Sequence, residues 1–130
     1  MSEAGKSSPP PTSPSPEGAT PLAQVSIETF RQLALRVGII TAAQDHPNAD
    51  RLLVLTVDVG EGAPRQLVAG IKGSYQASEL IGKHVAVVAN LKPALLRGVE
   101  SQGMVLAASD GSSIVLLTLE RPIPAGSPIK

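Results

Sequence analysis

The sequence is short of several residue types. It has no cysteine and no tryptophan, and Phe30 and Tyr75 are its single phenylalanine and tyrosine. Without thiols, disulfides and thiolate metal sites are excluded, which suits a cytoplasmic protein. Aliphatic packing must therefore form the core. The formal net charge is zero, with 11 basic and 11 acidic residues, and this counts against a generic, strongly basic nucleic-acid binder.

Membrane and secretion signals are also missing. No apolar run approaches the roughly 18 residues of a membrane span. The N-terminus lacks the basic-then-apolar pattern of a signal peptide. We expect a cytoplasmic protein that has no membrane partner.

Catalytic patterns are not found either. There is no cysteine nucleophile, no Gly-rich nucleotide loop, and no Ser/Asp constellation around His46 or His84. Asp45, His46 and Asp50 are close in sequence, but they lack a recognisable metal-ligand spacing. A turn is the favoured interpretation of that stretch. We expect no catalytic residues, no metal site, no cofactor and no independent enzymatic activity.

The first 24 residues differ from the rest of the chain. They contain six of the twelve prolines, and Met1 and Leu22 are their only large apolar side chains. Such a segment cannot bury enough apolar surface to offset the entropy of ordering. We predict a disordered Pro/Ser-rich arm at residues 1–24, which is either a spacer to a partner or a terminal tail. Residues 25–130 are predicted to form the folded domain.

The folded part is predicted to consist of about six short strands. A short helix is expected at Ser26–Leu33, and another at Ala77–Leu80, between the third and fourth strands. The Pro-rich end, residues 121–128, should lie at an edge or in a loop. This order is typical of the OB-fold, a five-stranded Greek-key barrel, here with extra C-terminal strands. A small β-sandwich is the alternative. The expected strands are 35–43, 52–59, 65–71, 84–91, 104–108 and 113–119.

Three stretches of sequence, taken together, resemble a known family. They are Leu35-Arg36-Val37-Gly38 followed by His46-Pro47-Asn48-Ala49-Asp50-Arg51-Leu52; Val68-Ala69-Gly70-Ile71; and Val88-Ala89-Asn90-Leu91-Lys92-Pro93 followed by Arg97-Gly98-Val99-Glu100-Ser101-Gln102-Gly103-Met104. In this order and spacing they resemble the tRNA-binding domain at the carboxy terminus of bacterial methionyl-tRNA synthetases. The same domain occurs as stand-alone dimeric, structure-specific tRNA-binding proteins. It is also similar to cytokine-precursor domains that accompany eukaryotic synthetases, and to a secretion-chaperone-like bacterial protein.

The resemblance covers about residues 27–130 and implies a non-catalytic, structure-specific tRNA-binding OB-fold. The implied partners are tRNA, a second copy in a homodimer, and the catalytic subunit of a methionyl-tRNA synthetase, for which the chain would be an accessory (beta) subunit or appended domain. Binding of this kind needs a few well-placed cations rather than a high net charge, because structured RNA is read largely through phosphates, 2′-hydroxyls and shape. The predicted tRNA-binding residues are Asn90, Lys92, Arg97, Ser101, Gly103 and Met104, with Arg36, Arg51 and Lys72 as secondary candidates.

Each candidate has a plainer structural interpretation. Asn90 and Ser101 could cap the backbone of the long loop, Met104 could pack in the core, and Lys92 and Arg97 could be solvated charges. The sequence also departs from the family pattern. Many members carry a second lysine after Lys-Pro, where this chain has Ala94-Leu95-Leu96.

Two other functions stay open from the sequence. One is a peptide-binding, chaperone-like OB dimer, and the other is a generic OB module for single-stranded nucleic acid or oligosaccharide. The Pro/Ser arm and the helix at Ser26–Leu33 favour the synthetase-linked form over the chaperone.

Overall fold

A computed structural model describes residues 22–130. The predicted arm therefore lies almost entirely outside the described residues. Residues 31–130 form one compact unit, and the described end of the preceding unit is residues 22–30. That end contains helix α1, Ile27–Phe30, which is shorter than the predicted Ser26–Leu33. Ser26 is its N-cap as predicted, since its Oγ accepts from the Thr29 N–H at 3.1 Å.

The regular secondary structure of the 31–130 unit consists of strands, with one short 3-10 helix at Ala77–Glu79. That helix lies between the third and fourth strands, as predicted. The strands are β1 Leu35–Asp45, β2 Leu53–Asp58, β3 Arg65–Ala69, β4 His84–Val88, β5 Ala94–Leu96, β6 Val99–Ser101, β7 Met104–Val105, β8 Ala107–Ser109 and β9 Ile114–Leu116.

Five strands form the main antiparallel sheet, in the order β3-β2-β1-β4-β7. The long strand β1 serves two partners, because its residues 35–39 pair with β4 and its residues 39–45 pair with β2. The register shifts between Ile40 and Ala42, which marks a bulge at Thr41. A bulge bends a strand and increases its twist. The bend lets one strand belong to both sides of a barrel.

The core lies on the inner face of this curled sheet. Leu53, Leu55, Val57 and Val59 alternate inward along β2 and beyond its end, as the period of two predicts, and each is at most 3% exposed. They pack with side chains from the other strands, including Ile40, Leu67, Val85 and Val87, and with Leu80 after the 3-10 helix. The core is aliphatic, as the shortage of aromatic residues requires.

The barrel is nearly closed, although β3 and β7 are the edges of the sheet. The gap beside β3 is spanned by the residues just before β7. Gln66 and Gln102 bond to each other twice, from the Gln102 N–H to the Gln66 carbonyl (2.8 Å) and from the Gln66 N–H to the Gln102 Oε1 (2.9 Å). The Val68 N–H donates to the Ser101 Oγ (2.9 Å). The structure confirms the OB-like fold.

Two elements differ from the sequence prediction. The segment between β4 and β7, expected to be a long loop, contains the hairpin β5–β6 as a separate two-stranded sheet. The predicted strand 104–108 is divided at Leu106, so that β7 pairs with β4 while β8 pairs with β9. The Pro-rich end runs beside the start of β1, as an edge, with the Val37 N–H donating to the Ser127 carbonyl at 2.9 Å.

Candidate nucleic-acid interface

Two loops rise from the barrel beside each other. The 46–52 loop joins β1 to β2, and the 89–103 excursion joins β4 to β7 and carries the β5–β6 hairpin. In OB-folds the corresponding loops, with the adjacent strand face, bind oligonucleotides. Most of the residues predicted to bind tRNA lie in or next to these two segments.

Arg97 lies at the tip of the β5–β6 hairpin. Leu96 pairs with Val99, so Arg97 and Gly98 form a two-residue connection. Both have positive φ, 52° and 90°, and Arg97 is the one non-glycine residue in the range 22–130 with this conformation. Two-residue connections with positive φ at both positions favour Asn-Gly. An arginine there is strained, and such strain tends to occur at functional sites.

The hairpin tip is bonded to the 46–52 loop. The Asn48 Nδ2 donates to the Arg97 carbonyl (3.3 Å), and the Arg97 Nη2 donates to the Asn48 carbonyl (3.2 Å). Between the two elements lies a cleft of about 460 Å³, lined by Asn48, Ala49, Asp50, Arg51, Leu52 and Arg97. The structure therefore brings together Arg97 and Arg51, two candidates that are far apart in sequence.

The other cationic residues predicted to bind tRNA, Lys72, Lys92 and Arg36, lie in different environments. The Lys72 ammonium forms an ion pair with the Asp45 carboxylate at 3.2 Å, so its charge is partly neutralised. Its backbone adjoins the loop, because the Lys72 N–H donates to the Arg51 carbonyl (3.4 Å). Lys92 is exposed in the 89–103 excursion. Arg36 is half-buried beside the C-terminal segment, where it pairs with Pro128.

Asn90 and Ser101 bond within the protein. The Asn90 Oδ1 accepts from the Ala34 N–H (2.8 Å), and its Nδ2 donates to the Gln32 carbonyl (2.6 Å). Ser101 is 4% exposed, and its hydroxyl accepts from the Val68 N–H and donates to the Gly103 carbonyl (3.0 Å). The bonds of Asn90 and the bond from Val68 to Ser101 are long-range, whereas the bond from Ser101 to Gly103 is local. They fix the two ends of the 89–103 excursion, and direct contact with RNA stays a prediction for both residues.

Gly103 and Met104 also have distinct surroundings. A Cβ at Gly103 would lie 2.9 Å from the Val88 carbonyl oxygen and 3.1 Å from the Leu67 Cδ2, so glycine is required there by internal packing. Met104, by contrast, is 45% exposed. It lines an apolar groove of about 360 Å³ with residues 68–71, 105–107 and Ile114. Met104 is thus a surface residue and not part of the core.

Arg65, which the sequence did not indicate as a functional residue, connects three segments. Its guanidinium donates to the Glu61 carboxylate through Nε (2.9 Å) and Nη2 (2.7 Å), and its Nη1 donates to the carbonyls of Ala89 and Gln102. The hydrogen bond to Arg65 lowers the pKa of Glu61 below its usual value, and the same bond raises the pKa of Arg65. Sequence spacing carried no signal of this role beyond the i,i+4 relation of Glu61 to Arg65.

The described residues offer neither a metal-binding cluster nor a membrane-spanning helix. Across residues 22–130 no three His, Asp or Glu side chains are grouped so that they could hold a metal ion. In the same part of the chain no helix is long and apolar enough to cross a membrane.

OB-like barrels are a class of fold that binds oligonucleotides or oligosaccharides through these loops. In this barrel Arg51 and Arg97 both line the cleft between the two loops. The family can be stated more narrowly. The tRNA_bind family model, described as "Putative tRNA binding domain", matches residues 35–128. This protein therefore belongs to that family.

Relatives and solved structures agree with this assignment. The chain is 47% identical over 114 residues to the methionine–tRNA ligase of Pyrococcus furiosus and 52% identical over 106 residues to that of Thermococcus kodakarensis. These alignments cover 88% and 82% of this chain, but 16% and 14% of the ligases. The chain thus matches one domain of those enzymes.

Two solved structures cover the barrel. The MetRS related protein of Pyrococcus horikoshii superimposes with a TM-score of 0.78 at 30% identity, covering 84% of this chain and all of that one. The chaperone CsaA of Bacillus anthracis superimposes with a TM-score of 0.76 at 31% identity, covering 83% of this chain and all of that one. The fold is therefore shared by a MetRS related protein and by a chaperone.

Proposed function

We propose that this protein binds tRNA through its shape and backbone, without catalysis, as an accessory subunit or appended domain of a methionyl-tRNA synthetase. The observation that carries the proposal is the cleft between the 46–52 loop and the hairpin tip, which Arg51 and Arg97 both line. The match to the tRNA_bind family and to one domain of methionine–tRNA ligases supports it.

The proposed contact surface contains Arg51, Arg97 and the exposed Lys92, with Met104 on the adjacent face. Guanidinium groups suit phosphate because their planar fork donates two hydrogen bonds at once. Asn90, Ser101 and Gly103 support this surface from within by fixing the ends of the 89–103 excursion. Lys72, balanced by Asp45, and Arg36, beside the C-terminal segment, contribute less.

A salt titration of tRNA binding tests the proposal. We expect the logarithm of the association constant to fall linearly with the logarithm of salt concentration, because phosphate contacts release counterions. Arg97→Gln and Arg51→Gln should each weaken binding and reduce the slope by about one unit. Arg121→Gln is the matched control, since Arg121 lies in an exposed pair with Glu120. Tight binding that ignores salt and both cleft variants would overturn the proposal.

The synthetase link has its own test. Holding tRNA near a catalytic partner raises its effective concentration and lowers the apparent KM. We expect the chain to lower the KM for tRNA of a methionyl-tRNA synthetase that lacks this domain, with little change in kcat. An unchanged KM, together with tRNA binding by the isolated chain, would restrict the function to tRNA binding alone.

We further propose a homodimer, which the apolar surface of the C-terminal region supports. Val115, Leu117 and Ile123 are 57%, 44% and 42% exposed. Light scattering at micromolar concentration should give twice the chain mass. Such a dimer would work in the cytoplasm, where aminoacylation occurs.

Peptide binding is the second candidate, favoured by the likeness to chaperone CsaA and by the apolar groove beside Met104. Suppression of the aggregation of an unfolded client, without tRNA binding, would favour this role. Competition between tRNA and single-stranded DNA of equal length tests for a generic OB module. Such a module would bind the single-stranded DNA, whereas a structure-specific tRNA-binding protein would prefer tRNA.

A further inference from the structure

His46 is a buried polar residue, 5% exposed, at the start of the 46–52 loop. Both ring nitrogens are used. The Nδ1 lies 2.9 Å from the Asn48 backbone nitrogen, and the Nε2 lies 2.9 Å from the Leu96 carbonyl oxygen. A backbone N–H can only donate and a carbonyl can only accept. The ring must therefore be the neutral tautomer with its hydrogen on Nε2.

These two bonds join a turn to a hairpin. The bond to Asn48 shapes the 46–52 loop, which is closed at its base by the His46 N–H donating to the Leu52 carbonyl (3.1 Å). The bond to Leu96 reaches the last residue of β5, directly before Arg97. The imidazole thus fixes the position of the hairpin tip relative to Arg51.

The hairpin needs such a link. The β5–β6 pair forms a sheet of its own, and every residue of β5 is exposed. An isolated two-stranded hairpin is marginal in water. At its other end β6 is held to the barrel by Ser101 and by the Gln66 Nε2 donating to the Glu100 carbonyl (2.7 Å). The bond from His46 to Leu96 holds the hairpin to the 46–52 loop near the tip.

From this geometry we infer that His46 is a positioning residue that holds Arg51 and Arg97 as the walls of one cleft for a backbone phosphate of RNA. The inference rests on the proposed function, and it assigns His46 an action through Arg97 rather than contact with the ligand. Preorganisation of the two guanidinium groups increases affinity because less side-chain and loop freedom is lost on binding. Asp50 in the same cleft opposes free anions, so inorganic phosphate should bind far more weakly than a polynucleotide.

Two substitutions of His46 each retain one of the two hydrogen bonds of the ring and remove the other. In His46→Asn the short amide can still accept from the Asn48 N–H, as in an Asx turn, but it cannot reach Leu96. In His46→Gln the longer amide can still donate to the Leu96 carbonyl. We expect His46→Asn to weaken tRNA binding about tenfold, and His46→Gln to stay within about threefold of the wild type, in the range of single interactions that position a ligand.

A double-mutant cycle distinguishes positioning from simple stabilisation. Arg97→Gln alone should also weaken tRNA binding about tenfold. Adding His46→Asn to Arg97→Gln should weaken binding little further, because the guanidinium that His46 positions is already absent. Hydrogen exchange of the Val99 amide in the free chain should be faster in His46→Asn and near normal in His46→Gln. If His46→Asn melts below the assay temperature, the cycle is measured at a lower temperature at which that variant is folded.

The measurements distinguish failure of the proposed function from failure of the role of His46. A wild-type chain that binds no tRNA would overturn the proposed function. Wild-type binding with fully additive losses, about a hundredfold in the double variant, would leave the proposed function standing and overturn the role of His46. Equal affinities for wild type and His46→Asn, with a lowered melting temperature, would show that His46 only stabilises the fold.

Discussion

Glu61 and Arg65 are joined by two parallel hydrogen bonds across the connection between β2 and β3. The remaining terminal nitrogen of Arg65 donates to the carbonyls of Ala89 and Gln102, at the two ends of the 89–103 excursion. One guanidinium therefore ties the β2–β3 connection to the base of the segment that carries the proposed tRNA-binding residues.

Arg65→Lys should loosen that segment. The ammonium keeps the charge but cannot bond to the Glu61 carboxylate and both carbonyls in the same planar geometry. Hydrogen bonds that involve a charged group contribute about 1.5–3 kcal/mol each, so we expect the free energy of unfolding to fall by about 1–3 kcal/mol. Denaturant titration measures this, and hydrogen exchange should show faster opening in residues 89–103. Arg121→Lys, in an exposed ion pair, should change stability by less than about 0.5 kcal/mol.

Gly103→Ala should destabilise the barrel. The new methyl group would lie 2.9 Å from the Val88 carbonyl oxygen, which is backbone and cannot move aside cheaply. We expect a loss of about 1–3 kcal/mol in the free energy of unfolding. Gly73→Ala is the control, because a Cβ at Gly73 meets nothing within 4 Å. Equal stabilities of the two variants would show that the backbone around Gly103 can shift to accommodate a methyl group at little cost.

Asp110 gives the β8–β9 hairpin a dependence on acid pH. Its carboxylate accepts from the N–H groups of Ser112 (2.9 Å) and Ser113 (2.8 Å) and from the Ser112 hydroxyl. The backbone bond from Ser112 is the largest cause, and together these bonds lower the pKa of Asp110 from 3.8 to about 2. Because the folded pKa lies below the unfolded one, the contribution is complete above pH 3.8 and is lost as the pH falls toward 2. A carboxyl-carbon NMR titration should give a midpoint near 2.

Asp110→Asn is the matched variant for this prediction. The amide oxygen can still accept from the Ser112 and Ser113 N–H groups, but it does not titrate. Its hairpin signals should therefore lack the transition between pH 3.8 and 2. A midpoint for Asp110 near 3.8 would contradict the hydrogen-bonding arrangement.

The sequence was sufficient to predict the barrel because apolar residues at every second position of β2 mark one buried face. Leu53, Leu55 and Val57 are each 0% exposed, and burial on one face fixes the register of a strand. The hairpin β5–β6 was missed for the opposite reason. The three residues of β5 are all exposed, so no inside-outside pattern marks it.

The site was only partly predictable. The family pattern indicated Arg51 and Arg97, but the contact between their loops depends on Asn48 and His46, which bond to residues about 50 positions away. Sequence also cannot tell which way a hydroxyl points. Ser101 is predicted to bind RNA, and nothing in the sequence indicated that its Oγ also accepts from the Val68 N–H.

Arg97→Asn should have opposite effects on stability and on binding. Asparagine tolerates the left-handed conformation that Arg97 adopts at φ 52°. Asn-Gly is also the preferred pair for this connection, so we expect the free energy of unfolding to rise by about 0.5–1 kcal/mol. The Asn48 Nδ2 bond to the carbonyl of residue 97 is retained, and only the exposed bond from the guanidinium to the Asn48 carbonyl is lost.

In the same variant, tRNA affinity should fall and its salt slope should decrease by about one unit, because one cation is removed from the cleft. Thermal unfolding and a salt titration on one preparation measure both effects. Arg97→Lys separates charge from conformation, since it keeps the cation and the strained backbone but loses the planar fork. A variant with Asn at position 97 that is less stable and binds tRNA as tightly as the wild type would mean that Arg97 serves the fold. The expected opposite signs would mean that the strain at the hairpin tip is retained for binding RNA.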